Sequence, residues 1–196
     1  MTGVDPCANG RTLLGAVFRK GHTVSQTSSS PARVWHGATR PETLLKMLWA
    51  TSPEFIQSIA PDVRRFACWC ARDAGAASTG ALPHRVLHAA EKYAAGNLPA
   101  AVLAAEKRSA AELEAIADIN AEKHQPAAAL QLAAIWTAHA RPFEAAGAAA
   151  HYTVLAALWR DGEAAAAALR IRQAAALRFF VTHPLVPDAH RGDARA

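Results

Sequence analysis

The stretch PFEAAGAAAHYTVLAALWR, residues 142–160, decides the fold class. Counted from Phe143, the residues Gly147, His151, Val154, Leu155, Leu158 and Trp159 fall at offsets 4, 8, 11, 12, 15 and 16. That is one stripe of a helix turning every ~3.6 residues. The preceding segment, 126–140, repeats the pattern, with Leu132, Ile135, Trp136 and His139 at offsets 0, 3, 4 and 7. Alanine fills the intervals. Side chains that small let helices approach closely, so tight packing replaces missing bulk.

Working outward, alanine makes up 50 of the 196 residues and concentrates after residue 60. It is the best helix former, and β-branched runs are nearly absent there, so the chain reads as all-α. The net charge of +5 is unevenly placed. Residues 1–50 carry six Lys/Arg against two acids, whereas 51–182 carry thirteen against twelve. The basicity sits in the leader and not in the body, which argues against a nucleic-acid groove. Three cysteines, Cys7, Cys68 and Cys70, make an odd count with no disulfide framework, as in a reducing cytosol. LLGAVF at 13–18 is too short for a signal peptide, and no run approaches the ~18 apolar residues of a membrane span. A cytoplasmic protein is the expectation.

Proline punctuates the chain. Pro41, Pro53, Pro61, Pro83, Pro99, Pro126 and Pro142 each precede a helix-like run, where a missing N–H costs nothing. Gly75, Gly96–Asn97 and Asp161–Gly162 supply the stops. The helices expected are 41–50, 53–59, 61–74, 83–95, 98–121, 126–140, 142–160 and 163–181. Short connections between them favour a compact bundle of about seven or eight helices. Residues 39–182 form the single alanine-rich helical domain; 1–38 read as a disordered basic leader and 183–196 as a disordered tail.

FACWCARDAG, residues 66–75, looks at first like a sulfur site. On a helix, however, Val63, Phe66 and Cys70 share a face, and Cys68 points roughly 200° away from Cys70. The two thiols therefore neither bridge nor share an ion, leaving a core sulfur at Cys70 and a flank sulfur at Cys68. His84, His88 and Glu91 lie at i, i+4 and i+7, a spacing that suits a metal. Arg85 follows His84 where a metalloprotease would have Glu, so a solvated face is the plainer reading and no metal is assigned. His139 and His151 fall on apolar stripes, as satisfied core histidines or as an inter-helix polar pocket. The mixed charges of 105–123 read as a solvated face. Functionally, Glu112, Glu114, Asp118 and Glu122 would make an acidic docking strip for a basic partner. The sequence carries no phosphate loop and no G-x-S-x-G, so catalytic and cofactor-binding residues are not assigned.

RRFACWCARDAG, then PHRVLHAAEKYAAGNL, then AIWTAHARPFEAAGAAAHYTVLAAL together resemble a known family. The resemblance, over roughly residues 61–160, is to the alanine-rich all-α immunity proteins of bacterial polymorphic toxin systems. Trp69 stands where that pattern favours an acid. The resemblance implies a non-enzymatic immunity protein that binds a cognate protein toxin and neutralises it by occlusion. Anchors for such an interface would be Trp69, Tyr93, Glu112, Glu114 and Asp118. Two other classes stay open: a helical regulatory domain contacting nucleic acid through its basic leader, and a His-based metal-binding protein.

Overall fold

Proline opens five of the helices in a computed structural model that describes residues 31–181. These are α1 (Pro31–Gly37), α2 (Pro41–Trp49), α3 (Pro53–Asp73), α7 (Pro126–Trp136) and α8 (Pro142–Asp161). Between and after them lie α4 (Ala81–Ala94), α5 (Ala100–Ser109), α6 (Ala111–Glu122) and α9 (Glu163–Phe180). At α3 the start is capped as the sequence suggests, Phe55 N donating to Ser52 Oγ at 3.3 Å. Gly75, at φ 82°, ends α3 in the left-handed conformation that glycine adopts freely, and a 3₁₀ turn (Ala76–Thr79) leads into α4. The described residues contain no strand, so the all-α class holds. No helix among them is long and apolar enough to cross a membrane.

Three expected boundaries are corrected. A helix, Pro31–Gly37, lies inside the expected 1–38 leader, and its Trp35 is buried. Arg178 of α9 holds α1 in place, its Nε and Nη2 donating to Trp35 O at 2.8 and 2.6 Å and its Nη2 to Ala38 O at 2.5 Å. Residues 1–30 and the expected tail at 183–196 lie outside the described residues.

The expected helices 53–59 and 61–74 are one helix, α3, with Pro61 in its interior. Pro61 is exposed, whereas Ile59, Val63, Phe66 and Cys70 are buried on either side of it. Continuous burial of that stripe outweighs the ~3 kcal/mol that an interior proline costs. The expected helix 98–121 instead breaks at Ala110 into α5 and α6. Bending there lets Leu103 and Ala110 enter the cluster around Leu87 while Ala117 and Ala121 pack on Ala128 and Leu132 of α7. The remaining helices begin and end within a few residues of expectation.

The centre of the bundle is α8, packed on by α7, α3, α9 and α2. Its most enclosed residues are not the large ones. Ala145, Ala146, Ala148, Ala149 and Ala150 are wholly buried, whereas His151, Leu155, Leu158 and Trp159 of the expected stripe are only half-buried. Alanine loses no side-chain entropy and lets neighbouring backbones close in, so α8 is enclosed almost all round over its first half.

The two cysteines obey the expected rotation. Cys70 packs with Phe66 and Leu44, and Cys68 with Val86 and Leu87 in a different cluster. Both are free thiols. Burial pushes Cys68 up to about 12 and Cys70 upward as well, so both stay neutral.

Candidate interaction surfaces

Arg64 is the charged group that sequence reasoning passed over. It is 2% exposed, on the flank of α3. Its Nη1 donates to Thr137 O at 2.5 Å, and its Nη2 to His139 O and Ala140 O at 2.8 and 3.2 Å. These carbonyls lie just past the C-terminus of α7, where a helix leaves acceptors unpaired and partial negative charge accumulates. The guanidinium also sits 5.3 Å over the ring of Tyr93. A signal existed in the sequence: Arg64 lies four residues before Cys68 and seven before Ala71, on an otherwise apolar flank.

Arg64 therefore decides the fate of one expected anchor. Tyr93 is half-buried and serves as the aromatic lid on that guanidinium instead of standing free on the surface. Trp69 fares differently. It packs on Phe66, rings 6.4 Å apart, and lines an open groove of about 410 Å³ with Arg65, Cys68, Arg72, Asp73 and Glu91. The groove's rim charges are largely paired. Arg72 binds both oxygens of Glu91, at 2.6 and 2.7 Å, and Arg172 of α9 binds Asp73 at 2.9 Å.

That bidentate pair also bears on the suspected metal face. His84 and His88 are exposed and stack with ring centres 6.3 Å apart, but Arg72 occupies the Glu91 carboxylate. His88 Nδ1 stays 3.7 Å from Glu91 Oε2. Among the described residues no three His, Cys, Asp or Glu side chains come together to hold a metal ion.

His139 and His151, the expected inter-helix polar pair, have different neighbours. His139 precedes α8, its ring stacked 4.9 Å from Trp136 and its Nδ1 3.4 Å from Glu144 Oε2. His151 is nine residues beyond Pro142, about 14 Å up the helix axis, with its ring against Tyr152. Burial lowers the pKa of each. For His139 the neighbouring Glu144 carboxylate works against that effect, and for His151 Glu42 does.

The acidic strip divides. Glu114 is taken by Lys107 at 2.5 Å, and Lys107 lies 5.1 Å over the ring of Trp136. Glu112 and Glu122 are exposed, and neither they nor half-buried Asp118 make an ion pair among the described residues. Burial, followed by the charges of Glu122 and Glu114, raises the Asp118 carboxyl above its ordinary value. Between these acids stand two residues that sequence reasoning left unnamed: Ile116 and Ile119 are 50% and 57% exposed. Against them, Ala117 and Ala121 of the same helix are buried. Thus α6 packs Ala117 and Ala121 inward and turns its isoleucines to solvent, the reverse of the usual partition.

No protein-family model matches the chain, and no curated protein or solved structure was found to match it.

Proposed function

We propose that this chain is an immunity protein: it binds a cognate protein toxin in the cytoplasm and neutralises it by occlusion, with no catalysis of its own. The observation that carries the reading is the outer face of α6. There, two isoleucines stand half exposed or more, beside carboxylates that lack an ion-pair partner within the described residues. A monomer gains nothing from holding such a surface open, and a partner that covers it gains apolar burial. The groove over Trp69 is a second place where a partner side chain can lodge, within a standard interface of ~1,600 Å².

Co-expression with a protein toxin, sought first among the neighbouring genes, tests the reading. Growth is expected in cells making both proteins and arrest in cells making the toxin alone. Undiminished killing in the presence of this protein would sink the proposal.

A further inference from the structure

Resting on that reading, we infer that the outer face of α6 docks a basic amphipathic helix of the partner, its apolar residues on Ile116 and Ile119 and its lysines or arginines on Glu112 and Glu122. Ile116 and Ile119 lie three apart and form a ridge along the helix axis. Glu112 lies four residues before the first and Glu122 three after the second, so the acids close both ends of that ridge. From 112 to 122 the strip spans about 15 Å, or nearly three helical turns. A straight ridge of that length fits the groove between side chains of another helix, which meets it with residues at i, i+3, i+4 and i+7.

Charge selects the occupant. Residues 111–122 contain four acids and no base, Lys107 neutralises only Glu114, and exposed Lys123 at the helix end offsets one more of these charges, leaving the strip net acidic. A phosphate backbone is repelled by such a face, and an acidic peptide likewise. A second copy docking through this same helix would set carboxylates against carboxylates. A cationic helix removes the mutual repulsion that Asp118 registers from Glu122 and Glu114. The helix is also free to receive it, since within the described residues α6 packs chiefly on α7 and touches α5 lightly.

The test uses the full chain and a synthetic peptide of about 18 residues with leucine and lysine in amphipathic helical spacing. A leucine–glutamate peptide of the same pattern is the control. Backbone amide shifts on titration with the lysine peptide are expected to gather in 111–122. Affinity is expected to fall roughly tenfold in Ile119→Arg and in the double variant Glu112→Lys/Glu122→Lys, and to weaken as salt rises from about 50 to about 300 mM. Both variants change exposed side chains, so an unchanged helical circular dichroism spectrum confirms that the fold survives. Shifts centred elsewhere, equal binding of the glutamate peptide, or no binding at millimolar peptide overturns the inference.

Co-expression separates it from the wider reading. If the unaltered protein protects cells and Ile119→Arg protects equally well, the α6 surface is wrong and the immunity function stands. If the lysine peptide docks on α6 and the unaltered protein still fails to protect, the surface is right and the toxin reading falls.

Discussion

Helices α8 and α6 are both rich in alanine and use it in opposite ways. In α8 the alanines at 145, 146, 148, 149 and 150 are completely enclosed by α7, α3, α9 and α2. Their value there is thinness, because neighbouring backbones come close enough for dispersion contacts that a larger residue would hold apart. In α6 alanine also faces inward, at Ala117 and Ala121, but chiefly against α7 with Tyr152 and Trp159 of α8 at the margin, and the bulky isoleucines are left in water. One composition thus builds a rigid centre and a surface with unfilled capacity. The number of neighbouring helices decides which of the two results.

The largest expected effect lies at the enclosed end of that contrast. Arg64→Leu strips the buried Thr137 carbonyl and the partly buried carbonyls of His139 and Ala140 of their shared donor. A loss of about 3–5 kcal/mol is expected, read from urea unfolding, and Arg64→Lys should recover only part of it because an ammonium lacks the fork. A loss below about 1 kcal/mol would mean that α7 does not depend on this capture.

Next comes a paired substitution. Ala149→Leu inserts bulk where α8 is sealed on all sides, and should cost about 1–3 kcal/mol. Ala115→Leu adds the same atoms to the exposed side of α6 and should stay within about 0.5 kcal/mol. Equal costs would erase the distinction between the two helices.

A gentler contrast is set by pH. In the folded protein burial holds the His151 pKa below its ordinary 6.5, Arg170 adding to that effect and Glu42 opposing it. The unfolded chain therefore takes up a proton first as pH falls through about 6.5, and stability declines until the folded ring titrates in turn. Unfolding measured at about pH 7.5 and about pH 5 should show this decline, and His151→Gln should make it shallower. An unchanged slope in that variant would assign the acid sensitivity elsewhere, with His139 the next residue to replace.

Much of this molecule is legible from local chemistry. Alanine content, proline at helix starts and glycine at helix ends act over a few residues, which is why α2, α4, α8 and α9 begin and end near where their sequences say. Pro61 misleads because a long buried stripe runs past it, and Ala110 because α5 and α6 answer to different neighbours. Trp35 reads as leader until Arg178, 143 residues away, is seen to hold its carbonyl. The anchors divide in the same manner. Trp69 and Glu112 are open to solvent or a groove, but Tyr93 is engaged as the lid over Arg64 and Glu114 is taken by Lys107. Nothing in the i, i+3 spacing of Ile116 and Ile119 announces that they face outward, because Ala117 and Ala121, at i, i+4, offer a rival face that is as helical.

By itself, then, the sequence determined that this chain is helical, where most of its turns fall, and that its two neighbouring thiols point apart. Those outcomes depend on backbone propensity and on the fixed rotation per residue. Tertiary structure alone decided which face of each helix is covered. It also set which charge is buried among carbonyls and which isoleucines are left to solvent, since burial depends on how many distant segments reach a given side chain.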